Sequence, residues 1–133
     1  MSNYETADRW RRQADADLKA ARDSAQANNY SWACFAAQQS AEKYLKAFLF
    51  LQGQRVLETH SLRKLVAEAA DHHPSLHELT PAAKELDKIY FSSRYPDALP
   101  DDIPAEYYTA EDADELLVCA STISQTINAL FTS

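Results

Sequence analysis

Apolar residues recur along the chain at the spacing of a helix, about 3.6 residues per turn. The first such segment runs from about residue 5 to residue 28. Its apolar stripe consists of Trp10, Ala14, Leu18, Ala21 and Ala25. The spacing therefore predicts a long amphipathic helix that lays this stripe on a core.

The second segment, from about residue 31 to residue 52, is apolar on nearly every side at both of its ends. A helix of that kind has to be buried, so this segment is predicted to be the central helix of the fold. Gly53 is placed to end it. Its middle carries a polar island made of Gln38, Gln39, Glu42, Lys43 and Lys46.

Three further helices are predicted from apolar spacing and end signals. A short one spans about residues 61 to 72. The fourth begins with Thr80 as N-cap and Pro81 at the first helical position, and stops near residue 93, because Tyr95 precedes Pro96. A loop containing Pro96, Pro100 and Pro104 leads to the last helix, which reaches the chain end.

Thr109 and Asp112 have the spacing of a capping box at the start of that last helix. The single glycine of the chain argues against hairpins. The fold class predicted is all-α: an antiparallel up-and-down bundle of about five helices, formed by residues 1–133 as one domain.

The net charge of −7 is distributed unevenly. Residues 95–133 carry eight acidic side chains and no basic one, so the first 94 residues are nearly neutral. A field of this sign repels nucleic acid, and any nucleotide or RNA site has to be a local pocket within the first 94 residues.

Bulk properties limit the other function classes. No long apolar run or leader segment is present, which predicts a cytoplasmic protein without a membrane association. Cys34 and Cys119 are expected to be reduced, buried thiols. One glycine excludes a phosphate-binding glycine-rich loop, and the spacing of His72, His73 and His77 does not suit a metal. No metal or cofactor is therefore predicted.

The polar island has two interpretations. In the first, Glu42 and Lys46 form an exposed ion pair beside two solvated glutamines. In the second, Phe35 and Leu49, which continue the same face, meet a second subunit or line a groove, and the island recognises a polar ligand.

Two other places could carry chemistry. Arg94 follows the predicted fourth helix, where it either caps the helix or anchors a phosphate or carboxylate, with Tyr95 beside it. His60 precedes the third helix and is either a local hydrogen-bond partner or an acid or base near neutral pH.

Taken together, the motifs resemble the HEPN family of small all-α proteins. The matching pieces are Trp32-Ala-Cys-Phe-Ala-Ala-Gln-Gln-Ser-Ala-Glu-Lys with Leu45-Lys46, then Thr59-His60-Ser61-Leu62, Arg94-Tyr95-Pro96-Asp97 and Tyr107-Tyr108-Thr109. The resemblance implies a bundle that forms a homodimer and partners a minimal nucleotidyltransferase in a toxin–antitoxin-like pair. Many members are metal-independent ribonucleases with an Arg-x4–6-His motif. This sequence lacks the histidine after Arg94; the literal match is Arg55 with His60, away from the expected position.

The leading hypothesis is a dimeric HEPN-type binding module that binds a nucleotide or RNA. The predicted ligand-binding residues are Gln39, Lys43, Arg94, Tyr95 and Tyr108, with Lys43 and Arg94 on phosphate and the two tyrosines stacked on a base. One alternative is a ribonuclease toxin in which His60 and Arg94 converge. Another is a structural partner without any ligand.

Overall fold

The computed structural model describes residues 2–55, 57–89, 99 and 101–132 of the chain. The α-helices are α1 (Asn3–Gln26), α2 (Tyr30–Leu51), α3 (Leu62–His72), α4 (Thr80–Asp87), α5 (Pro104–Tyr107) and α6 (Ala110–Thr132). A 3₁₀ helix, Pro74–Leu79, leads directly into α4. Within these described ranges there is no β-strand, and the predicted all-α fold is confirmed.

The central position of α2 follows from its side chains, fourteen of which are buried. Helix α1 lies antiparallel to α2, since the Ser40 hydroxyl donates to the Ala14 carbonyl at 2.8 Å and Trp10 packs on Phe50. Helix α6 covers another side of α2, and α3 and α4 pack on the remainder. The predicted central helix is thus confirmed.

Local signals explain where the helices begin and end. Ser2 caps α1 by accepting a hydrogen bond from the Glu5 amide at 3.1 Å. After α2, Gly53 adopts a φ of +97°, which a residue with a side chain rarely adopts. The capping box predicted for α6 is present: Thr109 and Asp112 exchange amide–side-chain hydrogen bonds at 3.0 and 3.1 Å.

Two predicted details are wrong. Thr80 is not an N-cap, because the 3₁₀ helix runs straight into α4 and Thr80 already has helical dihedral angles. The segment predicted as a proline loop contains α5, where Pro104 occupies a first-turn position that needs no amide hydrogen. The predicted extension of the fourth helix to about residue 93 lies outside the described residues.

Most of the apolar stripe predicted for α1 is buried in the core. Ala14, Leu18 and Ala21 of α1 are buried, whereas Trp10 lies partly at the surface. Both cysteines are free thiols; Cys34 is buried, as predicted, whereas Cys119 is only partly buried. None of the helices that the structure describes is long and apolar enough to cross a membrane.

Candidate functional site

Four of the five residues of the polar island of α2, all except Lys43, form a continuous chain of hydrogen bonds. The Gln39 amide donates to the Gln38 carbonyl oxygen at 2.7 Å, and the Gln38 amide donates to Glu42 Oε1 at 3.4 Å. Lys46 Nζ donates to Glu42 Oε2 at 3.0 Å. Gln38, Glu42 and Lys46 succeed one another every four residues, so the helix itself brings them together.

The expectation of an exposed strip is wrong for three of these side chains. Gln38 is fully buried, and the side chains of Glu42 and Lys46 are only 7% and 6% exposed. The Glu42–Lys46 pair predicted from sequence exists, but in a low-dielectric setting where removing water from two charges is costly. Hydrogen bonding of both carboxylate oxygens offsets part of that cost.

His60 joins this buried network from the loop before α3. With its proton on Nδ1, the ring donates to Glu42 Oε2 at 3.1 Å, while 59% of the side chain is exposed. Glu42 therefore fixes the orientation of a histidine whose ring reaches solvent. A carboxylate that orients an imidazole in this way is a common feature of acid–base and anion-binding sites.

Helix α4 supports the position of this loop. The Asp87 carboxylate accepts hydrogen bonds from the Leu62 and Arg63 amides at 2.7 and 3.0 Å, and from the Ser61 hydroxyl at 3.3 Å. Ser61 is itself the N-cap of α3. The start of α3, and His60 immediately before it, are thereby tied to the end of α4.

Lys43 points to a different side of α2. Its ammonium pairs with the Asp17 carboxylate of α1, and the Gln13 amide donates to the same carboxylate at 2.9 Å. Lys43 lines a groove of about 560 Å³ together with Arg9, Trp10, Arg12 and Gln13. Lys43 and Glu42 thus face different surroundings, although they are adjacent in the chain.

The remaining predicted site residues fall into two groups. Tyr108 is buried with its ring 5.2 Å from that of Tyr107, and both line a groove of about 410 Å³ that also includes Lys88 and Asp112. Arg94 and Tyr95 lie outside the described residues, as does any approach of Arg94 to His60. Leu49, predicted to meet a subunit or a groove, is buried in the core.

Two side chains of α2 have strongly raised pKa values. Burial raises the pKa of the Cys34 thiol to about 12, helped by the negative charge of Asp112. Burial also raises the pKa of Tyr44 to about 12, helped by the hydrogen bond that its hydroxyl donates to Asp15. Among the described residues, no group of three or more His, Cys, Asp or Glu could hold a metal ion.

Three important partners were not predicted from the sequence. Asp87 and Asp17 each bind a helix other than their own, and Arg9 lines the groove beside Lys43; none of the three belongs to a distinctive local motif. The spacing of Arg9, Arg12 and Gln13 puts them on one face of α1, and this is the signal that could have identified them. Which helix would face them was not deducible.

Comparisons with known proteins agree with one another. The HEPN domain family matches residues 7–130. A curated relative from Methanocaldococcus jannaschii, named "Putative toxin MJ1304", is 29% identical over 87% of this chain and 82% of its own.

The solved structures include TT1696 from Thermus thermophilus (40% identity, TM-score 0.87, covering 92% of this chain and 96% of that one). ST0689, described as an archaeal HEPN homologue, has 37% identity and a TM-score of 0.77, with coverages of 94% and 97%. An HEPN domain protein from Thermotoga maritima has 30% identity and a TM-score of 0.74, with coverages of 93% and 98%.

Proposed function

The chain belongs to the HEPN domain family, and from that premise we propose that it is a dimeric binding module in a toxin–antitoxin-like pair. Its partner is a minimal nucleotidyltransferase, and its ligand is a nucleotide or RNA in the cytoplasm. The relative named as a toxin supports the toxin–antitoxin part of the proposal. The sequence resemblance supports the partner.

The geometry around His60 carries the ligand-binding part. A buried Glu42, held by Lys46 and Gln38, orients a largely exposed imidazole. Keeping three polar side chains inside a helix bundle carries a desolvation cost, and a role in ligand recognition accounts for their presence. A surface imidazole fixed by a buried carboxylate suits the recognition of a phosphate, since a protonated ring donates from both nitrogens.

The other predicted residues differ in how well they fit this role. Arg94 anchors a phosphate, Tyr95 stacks on a base and Gln39 provides a further polar contact. Tyr108 is buried against Tyr107 and is withdrawn as a stacking residue, and Lys43 provides a cation on the side of α2 that faces α1. Calorimetric titration of nucleotides and short RNA tests these roles. We expect Arg94→Ala to weaken binding by roughly tenfold or more, the value of a lost charged hydrogen bond. Unchanged affinity would remove Arg94 from the site.

Co-expression tests the pairing. We expect expression of the chain alone to slow growth, and co-expression of the nucleotidyltransferase to restore it. His60→Ala, expressed to the same level, is the matched control for dependence on the site. Growth that is indifferent to the chain, together with no co-purification of the nucleotidyltransferase, would contradict the toxin–antitoxin proposal.

A second function, metal-independent ribonuclease activity, is favoured by one observation. The His60–Glu42 contact is the arrangement by which a carboxylate orients a general acid or base. In this alternative His60 moves a proton at the RNA 2′-hydroxyl while Arg94 holds the scissile phosphate.

Purified protein incubated with RNA in the presence of a chelator distinguishes the two functions. Cleavage that His60→Gln abolishes, without any change in RNA affinity, would establish the ribonuclease function. Intact RNA that binds more weakly to His60→Gln than to wild type would exclude the ribonuclease and support the binding module, whereas intact RNA bound equally by both would remove His60 from either site.

A further inference from the structure

The groove between α1 and α2 is lined mainly by basic residues, although the chain as a whole has a net charge of −7. Among the described residues that line it, three are cations (Arg9, Arg12 and Lys43), one is Trp10 and one is Gln13; none is a carboxylate. Its volume of about 560 Å³ falls within the range of about 300–1,000 Å³ that is typical of small-molecule sites. Shape and charge together indicate an anionic ligand with an apolar part.

The carboxylates behind these cations do not block such a ligand. Asp8 accepts from Arg12 at 3.0 Å and Asp17 pairs with Lys43, so both carboxylates hold their cations in place at the rim. The Arg12 side chain is 66% exposed. Because an exposed ion pair contributes less than about 1 kcal/mol, exchanging the Arg12 pair for a contact with phosphate costs little. The Lys43–Asp17 pair is more enclosed, with side chains 26% and 18% exposed, so Lys43 contacts phosphate while still paired with Asp17.

Trp10 supplies the apolar part. Its ring is 5.2 Å from the ring of Phe50, which fixes its orientation, while the residue stays partly exposed at the groove. A fixed aromatic ring offers a stacking surface at a low entropic cost. Cations beside an exposed indole are the combination by which proteins bind the phosphates and bases of single-stranded nucleic acid.

A second, smaller cavity lies beside the groove along α1. It has a volume of about 210 Å³ and is lined by Tyr4, Glu5 and Asp8 together with Arg9 and Arg12, which it shares with the first cavity. Because two carboxylates line this second cavity, the anionic part of a ligand is confined to the first one.

We propose that the α1–α2 groove is a binding site for nucleoside phosphates, with phosphate on Arg9, Arg12 and Lys43 and a base on Trp10. The source of the nucleoside phosphate is a free nucleotide or an RNA strand. The proposal rests on the proposed function in that the chain binds such ligands at all. It adds a site on α1 that is distinct from His60 and Glu42, which face another side of α2.

Fluorescence anisotropy with a labelled short oligoadenylate RNA tests the site on the full chain. The variant is Arg9→Ala/Arg12→Ala. Its matched control is Lys19→Ala/Arg22→Ala, which removes two cations from the same helix outside the groove; Lys19 pairs with Asp23 and Arg22 contacts Ser121. Circular dichroism verifies that both variants are folded.

We expect the groove variant to bind RNA at least tenfold more weakly and the control to bind within about twofold of wild type. Because each lost phosphate contact reduces the salt slope of log K by about 0.7 for single strands, the slope should also fall in the groove variant alone. Competition by free adenosine nucleotides separates the two sources: effective competition assigns the site to a nucleotide, and ineffective competition assigns it to an RNA strand.

Trp10 gives an independent measurement. The chain has two tryptophans, so Trp32→Phe leaves Trp10 as the only one. We expect RNA or nucleotide to quench the fluorescence of this variant in parallel with binding. The groove site would be overturned if RNA binds without quenching Trp10 and if the groove and control variants bind RNA with equal affinity. The proposed function would survive that result. No binding of RNA or nucleotide by wild type would overturn both.

Discussion

At the scale of single residues, Glu42 determines most of the candidate site. Its carboxylate accepts hydrogen bonds from Gln38, Lys46 and His60 and is almost completely removed from water. An ion pair of this kind adds little to stability compared with an apolar pair, but it is costly to break. Its contribution is to fix one arrangement of α2 and the loop before α3.

We predict that Glu42→Ala lowers the free energy of unfolding by roughly 3 kcal/mol or more, because Lys46 is left as an unpaired buried charge. Glu85→Ala is the control: Glu85 pairs with Lys88 at 2.9 Å at an exposed position, and its loss should cost less than about 1 kcal/mol. Urea unfolding measures both. Equal losses would contradict the buried role of Glu42.

The raised pKa values of Cys34 and Tyr44 predict an alkaline loss of stability. Because the pKa of Cys34 is raised from 9.0 to about 12, the unfolded chain releases the thiol proton before the native chain does. The free energy of unfolding should therefore be unaffected by this thiol below pH 9 and fall as the pH rises towards 12. The pKa of Tyr44 is raised from 10.0 to about 12, so this side chain adds to the fall in the free energy of unfolding from pH 10 upwards.

Urea unfolding at a series of pH values measures this fall, and Cys34→Ser should make it shallower because serine does not titrate in that range. A Cys34→Ser chain with an unaltered pH dependence would show that the thiol is not responsible.

At the scale of helices, the start of α3 depends on a residue of α4. Asp87 accepts hydrogen bonds from two amides of the first turn of α3, and α3 contains only eleven residues. Helices this short gain little from intrinsic propensity, so a cap supplied by tertiary structure matters more. The same contact positions the His60 loop.

We predict that Asp87→Ala destabilises the protein by about 1–2 kcal/mol, the usual cost of losing a side-chain cap. Asp71→Ala, at an exposed position in the last turn of α3, is the control; because a carboxylate is unfavourable at a helix C-terminus, its removal should be neutral or slightly stabilising. Thermal unfolding of the two variants measures the difference. Equal effects would argue against capping by Asp87.

At the scale of the whole molecule, the predicted homodimer requires an exposed surface on which two copies of the chain can pack. Trp32 is 57% exposed at the start of α2, and its ring packs at 6.0 Å on that of Phe35. A large exposed aromatic side chain is a common centre of protein interfaces. We therefore expect the Trp32 end of α2 to contribute to the dimer.

Sedimentation velocity at several concentrations tests this. We predict a dimer for wild type and a shift towards monomer for Trp32→Asp, because a charge in the middle of an apolar contact would be desolvated. Val118→Asp is the comparison, since Val118 is 66% exposed on α6. A monomeric wild type, or two variants that both remain dimeric, would contradict the placement.

The sequence by itself determined the features that depend on neighbours in the chain. The helix stripes, the turn at Gly53 and the Thr109–Asp112 capping box all follow from short spacings along the chain and from backbone preferences. The Glu42–Lys46 pair was predicted for the same reason, since a helix places residues four apart side by side.

Only the tertiary structure decided whether that pair is buried and which residues surround it. His60 is 18 residues from Glu42, Asp87 is 25 residues from Leu62, and Lys43 is 26 residues from Asp17. Periodicity identifies which side chains share a face of a helix, but not which helix packs against that face. The buried Glu42 and the basic groove on α1 both arise from that packing, because burial and charge pairing depend on neighbours that are remote in sequence.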